Sequence, residues 1–431
     1  MSVKTKITVI GAGSSYTPEV IGKIIDYQHT LKVDEISLLD LEDNLDRLKI
    51  IHQYSQRMIE AKNETIRISY TLDRKEALED ATFVLIQIRV GKMEVRIFDE
   101  TIPSLYGLLG HETIGIGGMF NALRTVPVIY EIIEDVKKYA PKAWVINVSN
   151  PSGIIAEAVY RFSEFDRFIG ISSDPNQATK TLQQKLNASP GEVVPYFAGL
   201  NDLSFILKVY HHGKDKLDSL IEEGYSPYKE GMESLIFKDM RLFSHPNLRY
   251  YYHHDEMLKA YLDDMKKGSI RAKEVVSIEQ QLFEKFKDEK TIDLPKNMDQ
   301  RLGRNYADTA IGIMDAIKNN TKAYHVINTI NRGHILGIPD ECAIEITSRM
   351  TNRGPIPVHI GELPLQVRGI IQHLKAYEEL LCDAIYERDL DKALLAIQTH
   401  PLSRSFNQNK VTFKKLVEAH EKHLTYYRKD S

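Results

Sequence analysis

Cysteine is almost missing from this 431-residue chain: only Cys342 and Cys382 occur, which excludes a disulfide framework and a cysteine metal cluster. No apolar run approaches the roughly 20 residues that a membrane-spanning helix needs. Basic residues do not dominate, since 56 Lys and Arg stand against 60 Asp and Glu for a net charge of −4. That balance gives no reason to expect nucleic acid or an anionic membrane as partner. Internal repeats and low-complexity segments are absent, as are a G-x-S-x-G elbow and a Cys/His nucleophile arrangement. The clusters His111-Glu112, His211-His212 and His253-His254-Asp255-Glu256 lack the i, i+4 spacing of a zinc helix, and each reads as a solvated face. Hydrophobic content of 42% and charged content of 27% belong to an ordinary globular protein, long enough for two domains. The first apolar run starts at Ile7, so no signal peptide and a cytoplasmic location are expected.

What is present is organised around Lys6 to Ile24. Ile7 to Ile10 is a β-branched run suited to a strand buried on both faces. Gly11 and Gly13 then permit a tight turn close to a pyrophosphate, flanked by Ser14 and Ser15. Thr17 is expected to cap the next helix, with Pro18 at its first position, so that the helix N-terminus faces the phosphate. Tyr16 stands where the third glycine of G-x-G-x-x-G would be. A second strand, Glu35 to Leu39, ends in Asp40, an acid placed to accept hydrogen bonds from a ribose hydroxyl, which favours NAD over NADP.

Strand and helix patterns alternate onward. A helix is expected over Asn44 to Ala61, strands over Thr65 to Thr71 and Thr82 to Ile88, and between them a short helix capped by Asp73. Arg89 to Gly118 reads as a long ordered loop. A helix from Asn121 to Tyr139, a strand from Trp144 to Val148, a helix from Pro151 to Phe162 and a strand from Arg167 to Ile171 follow. From about Gly199 the pattern changes to an antiparallel strand, Asn201 to Tyr210, and then to charged helices at Ile270 to Lys287 and Asn297 to Lys318. Strands at Ala323 to Asn328 and Cys342 to Ser348 and helices at Leu365 to Ile397 and Val411 to Tyr427 close the chain. The expectation is an α/β protein: a Rossmann-like dinucleotide-binding domain over 1–198, then an α+β substrate domain over 199–431.

Three strand ends carry candidate chemistry. Asn150, in Asn147-Val-Ser-Asn150-Pro-Ser-Gly153, offers a donor and acceptors to a sugar hydroxyl or a nicotinamide amide, or else caps the helix before Pro151. Arg89 suits a phosphate or a loop salt bridge. Gly170-Ile-Ser-Ser-Asp-Pro175 sets two hydroxyls beside a carboxylate and reads first as a turn and helix cap.

These segments together resemble the NAD-dependent family 4 glycoside hydrolases, typically 6-phospho-α- or 6-phospho-β-glucosidases. The resemblance runs through nearly the whole chain. It rests on Ile10 to Glu19, Ile88-Arg-Val-Gly91, Gly107 to Arg124 with its His-Glu-Thr, Asn147 to Gly153, Gly199-Leu-Asn-Asp-Leu-Ser-Phe205, Arg271-Ala-Lys-Glu-Val275, Asn328 to Gly333 and Gly361-Glu-Leu-Pro364. It implies a lactate/malate dehydrogenase-like fold and a homo-oligomer. It also implies a glycoside cleavage outside the two-carboxylate pattern. Hydride leaves sugar C3 to NAD, a tyrosine base takes the C2 proton, and a divalent metal, usually manganese, stabilises the enediolate. Gly11, Gly13, Ser14, Ser15, Asp40 and Asn150 match cofactor positions; Arg89, Glu112, Asn150 and Arg271 match substrate positions.

The departures fall on the reacting centre. Ser172 stands at the metal-binding cysteine and Ser173 follows it. Asp202 stands at the metal-binding histidine and still offers an oxygen ligand to manganese or magnesium. The base tyrosine's Tyr-Leu-(Arg/Gln)-Tyr-Tyr run reads Asn247-Leu-Arg-Tyr250-Tyr251, which leaves Tyr250 or Tyr251 as alternative bases. The leading expectation is a glycosidase acting on a sugar phosphate or related anionic glycoside through an altered site. The alternatives are a non-catalytic sensor of NAD and sugar phosphate, and a 2-hydroxyacid-dehydrogenase-like oxidoreductase, which would want a histidine paired with an aspartate.

Overall fold

The computed structural model describes residues 4–228, 238–301 and 305–428. Five largely apolar runs and one polar edge run, β3, form parallel strands: β1 (Lys6–Ile10), β2 (Glu35–Leu39), β3 (Arg67–Thr71), β4 (Phe83–Ile86), β5 (Trp144–Asn147) and β6 (Phe168–Gly170). They lie side by side in the order β3-β2-β1-β4-β5-β6. The chain's progress reverses between β1 and β4, which opens a crevice at the carboxyl ends of these strands.

The sheet does not stop at β6. Next in the chain come β7 (Val193–Leu200), β8 (Leu203–His211), β9 (Lys214–Asp215), β10 (Phe243–Ser244), β11 (Tyr324–Ile330), β12 (Ile335–Leu336), β13 (Ala343–Thr351), β14 (Gly354–Pro357) and β15 (Gly361–Glu362). Antiparallel strands extend the sheet from β6 in the order β11-β13-β7-β8-β10, while β12 and β15 pair separately. The division expected at 198/199 thus falls inside β7, whose pairing with β13 keeps both halves in one sheet.

One register row crosses the sheet at the carboxyl ends of the parallel strands. It runs Leu39, Ile10, Ile86, Asn147, Gly170, Asn328, Glu345, Gly199, Ser204, each directly opposite the next. One step past β10, His245 donates its backbone N–H to Ser204 O at 2.9 Å and ends the row. Directly paired residues share a face, so the row is apolar beside the glycine loop and polar from Asn147 onward. Strand alternation builds a core on each side. Ile10, Val84, Ile86 and Val145 join the helices Gly115–Tyr139 and Ser152–Phe162, while Ile7, Val9, Phe83, Leu85 and Ile146 join the helices Thr17–Asp26 and Leu45–Ala61.

The stretch expected as a loop, Arg89 to Gly118, is mostly helical: one helix covers Lys92–Leu105 and another begins at Gly115. Apolar periodicity missed the first because its buried positions include Asp99 and Glu100, which are satisfied by ions. Arg124, itself buried, grips Asp99 with Nη1–Oδ1 at 2.9 Å and Nη2–Oδ2 at 2.7 Å. The glycines serve packing, since a Cβ on Gly117 would lie 2.3 Å from His111 O. Thr17 does not cap its helix. Tyr16 occupies the N-cap, and the Thr17 hydroxyl donates to Ala12 O at 2.7 Å, inside the turn. The helix expected over Asn297 to Lys318 is a 3₁₀ segment, Lys296–Arg301, and a helix, Asn305–Asn319, with 302–304 outside the described residues. Unforeseen elements include β7, which Pro195 and Gly199 disguised, and the helix Ser173–Lys185. No described helix is long and apolar enough to cross a membrane.

Candidate active site

The glycine loop opens the crevice. Gly11, at φ 84°, turns the chain so that its own N–H and that of Ala12 both reach Leu39 O, at 2.9 and 3.0 Å. Gly13 donates its N–H to Asp40 Oδ2 at 2.6 Å. Asp40 Oδ1 accepts from Leu41 N at 2.8 Å and Asn44 Nδ2 at 3.0 Å, so this buried acid braces the loop and has a further acceptor site on Oδ2. The two serines diverge. Ser14 Oγ accepts from Tyr16 N at 3.3 Å, whereas the buried Ser15 hydroxyl donates to Glu279 Oε1 at 3.0 Å. Glu279 also pairs with Arg301 and, at 3.3 Å, with Arg47, so Ser15 ties the loop to the helix Arg271–Lys287 and its hydroxyl is not aimed at a phosphate.

Beyond β4 an alternating ionic chain crosses the crevice. Arg89 Nη1 meets Glu112 Oε2 at 2.5 Å, Glu112 Oε1 meets Arg96 Nη1 at 3.0 Å, and Arg96 Nε meets Glu100 Oε1 at 2.6 Å. Glu100 Oε2 then accepts from Ala272 N at 3.1 Å at the start of the helix that carries Arg271. Burial pushes the Glu112 carboxyl up, but Arg89 and Arg96 outweigh it and hold the pKa at about 2. His111 and Glu112 are therefore interior groups and not a solvated face; burial lowers His111 to about 4. His254, also expected on a solvated face, is buried. Arg271 does not join this chain: it meets Glu274 at 3.3 Å and the carbonyls of Gln300 and Arg301 at 3.0 and 3.1 Å. Asn150 stands at the rim, half-buried, and the N-cap of the following helix is Pro151, so its amide is not spent on capping.

The residues expected at the reacting centre do converge, around a histidine that sequence reasoning passed over. Asp202 lies in the two-residue turn between β7 and β8 with φ 62°. His245 has a side chain with 0% exposure, and its Nε2 lies 3.7 Å from Asp202 Oδ1 and 3.5 Å from Asp174 Oδ2. It makes no direct hydrogen bond to either. Its Nδ1 accepts the Asn247 N–H at 3.1 Å, which assigns the ring proton to Nε2. Burial raises the Asp202 pKa while His245 opposes the rise, and the Thr113 hydroxyl bonds the carboxylate. Ser173 Oγ donates to Asp174 Oδ1 at 3.2 Å, and Ser204 Oγ donates to the buried Glu345 at 2.6 Å. Ser172 is the N-cap of its helix but makes no capping hydrogen bond.

Three tyrosines border the cluster. Tyr250 packs its ring 5.2 Å from His111, Tyr251 has a buried hydroxyl with no hydrogen-bond partner, and Tyr306 bonds Ser173 and faces Asp174 and Asp202. Burial raises the phenol pKa of both Tyr251 and Tyr306. The histidine-aspartate pair that a dehydrogenase would want is present in His245 and Asp202, but the imidazole is buried and its Nδ1 is held by the Asn247 N–H. Glu345 and His245 had faint signals: a lone acid inside an apolar strand, and a histidine two residues before the altered tyrosine position.

The fold and the site together define an enzyme built on a dinucleotide-binding sheet. Residues 6–188 match the family 4 glycosyl hydrolases, and residues 197–403 match the C-terminal domain of that family. The chain belongs to family 4 of the glycosyl hydrolases. It is 36% identical to the 6-phospho-beta-glucosidase of Escherichia coli over 440 residues, covering 98% of this chain and 97% of that one. The 6-phospho-beta-glucosidase of Thermotoga maritima, solved with NAD and glucose-6-phosphate, superposes with a TM-score of 0.90 at 30% identity, over 97% of this chain and 99% of that one. A second structure of it also contains manganese. A lactate dehydrogenase from a deep-sea metagenome shares the fold at TM-score 0.56 and 15% identity, over 89% of this chain and 99% of that one.

Proposed function

We propose that this protein binds NAD in the β1/β4 crevice and acts on a 6-phosphoglucoside as an NAD-dependent glycosidase. The observation that carries this reading is the row from Leu39 to His245. It sets the nucleotide loop and the acid–imidazole cluster along one edge of one sheet, so a sugar seated at the cluster lies alongside a nicotinamide extended from the loop. The glycine turn and the brace between Gly13 and Asp40 fit a dinucleotide. When bound, NAD supplies the hydride acceptor that turns an alcohol carbon into a ketone and so acidifies the neighbouring C–H. Arg89, partly exposed at the strand end and held by Glu112, supports a phosphate contact, and the uncommitted amide of Asn150 supports a sugar hydroxyl.

The residues at the cluster do not fit a divalent ion. Ser172 is a weaker ligand than a thiolate, and the imidazole nearest the acids, His245, carries its proton on the Nε2 that faces them. Asn247 favours a second reading, a sensor that binds NAD and sugar phosphate without turnover, because a carboxamide takes no proton near neutral pH. Incubation of a 6-phosphoglucoside in deuterated solvent separates the two. The glycosidase reading expects NAD-dependent exchange of the C2 proton; its absence, with NAD binding demonstrated, transfers the site to the sensor reading.

A further inference from the structure

We propose that the Nε2–H of His245 takes the place of a divalent cation at this site, so that binding of NAD and sugar phosphate needs no metal. The inference deepens the reading of the same cluster and rests on it. Three carboxyl groups, on Asp174, Asp202 and Glu345, are drawn together at the end of the row, an arrangement that calls for positive charge or hydrogen-bond donors. Here the chain supplies the donors itself: Ser173 for Asp174, Thr113 for Asp202 and Ser204 for Glu345. His245 Nε2 lies near the first two at 3.5 and 3.7 Å, and the Asn247 N–H on Nδ1 fixes the ring proton on that Nε2.

Two further facts argue against a cation among these groups. An N–H presents the positive end of its dipole where an ion would sit. Donors around one ion at about 2.1 Å also lie no more than about 4.2 Å apart. Among the described residues, the one trio of His, Cys or carboxylate donors all within 4.8 Å of one another is Glu192, His211 and His212, on the surface hairpin far along β8. His245 acts through Asp202 and Asp174, and is therefore a positioning residue.

The test is manganese titration of the full-length protein, followed by electron paramagnetic resonance of the free ion. It is run on a His212→Ala background so that the surface trio does not contribute. The expected result is no stoichiometric uptake at millimolar manganese, with NAD and glucose-6-phosphate affinities unchanged by a chelator. His245→Ala removes the N–H that separates two carboxylates, so it is expected to bind manganese about tenfold more tightly than its parent. A ligand role predicts the opposite sign. Stoichiometric manganese uptake by the His245-containing protein overturns the proposal, whether or not His245→Ala abolishes it. If His245→Ala does not fold, His245→Asn, whose Oδ1 can accept the Asn247 N–H while leaving no N–H at the Nε2 position, serves as the variant expected to gain the ion. Failure of NAD or sugar phosphate to bind, with or without manganese, counts against the proposed function and leaves the manganese result to be read separately.

Discussion

Gly13 and Asp40 are joined across the nucleotide crevice by a 2.6 Å hydrogen bond from the Gly13 N–H to Asp40 Oδ2. A Cβ on Gly13 would lie 2.9 Å from that oxygen, so the loop and the end of β2 are locked in one geometry. Gly13→Ala is expected to weaken NAD binding by about tenfold or more, because it displaces the acid from both the loop and the ribose. Isothermal titration with NAD checks this, and an unchanged affinity would remove Asp40 from the cofactor site.

Acid stability follows from Glu112. Its folded pKa of about 2 lies below the ordinary carboxylate value of 4.5, so the folded state binds protons less readily than the unfolded chain. The stability it contributes is present above about pH 4.5 and is lost as pH falls toward 2. Glu112→Gln is expected to flatten the dependence of unfolding free energy on pH across that window. Denaturant titrations at several pH values read the slope, and a slope equal to the parent's would show that the Arg89 and Arg96 pairing carries no such linkage.

The pair between Arg124 and Asp99 is buried at both ends, with 2% and 0% exposure. Asp99→Asn leaves a guanidinium uncompensated in the interior and is expected to cost about 3 kcal/mol or more of stability. Replacing both residues by apolar ones is expected to cost less than the single change. Urea unfolding of the two variants decides it, and a small loss in Asp99→Asn would mean that a neutral His420, whose Nδ1 lies 3.4 Å from Arg124 Nη1, satisfies the guanidinium by accepting its hydrogen bond.

Asn247 occupies the position that the family resemblance gives to the base. Its backbone N–H, not its side chain, fixes His245, so Asn247→Tyr leaves that bond in place. The variant is expected to raise NAD-dependent exchange at sugar C2 by about tenfold or more, the scale of one positioned general base. Proton exchange followed by nuclear magnetic resonance measures the change, and no increase would place the base elsewhere, with Tyr306 next in line by its contact with Ser173.

The parallel half of the fold was readable because its signals are local. Apolar runs such as Ile7 to Ile10, the turn at Gly11 and the acid at Asp40 each follow from a few consecutive residues. Helix Lys92–Leu105 escaped because Asp99 and Glu100 are buried by pairing with groups distant in the chain, and no periodicity records that. Ser15 was readable as a loop serine, but Glu279, 264 positions away, claims its hydroxyl.

Residue identity alone settled the chemistry available: a dinucleotide loop, guanidinium groups for an anion, and serine, aspartate and asparagine where thiol, imidazole and phenol were expected. Tertiary structure alone settled what those groups do together. Asp174, Asp202 and His245 lie on three separate segments, and only the tertiary fold brings both acids within 3.7 Å of His245 Nε2. Hydrogen-bond direction is a property of that assembly, so the placement of the His245 proton between two acids had no trace in the linear order.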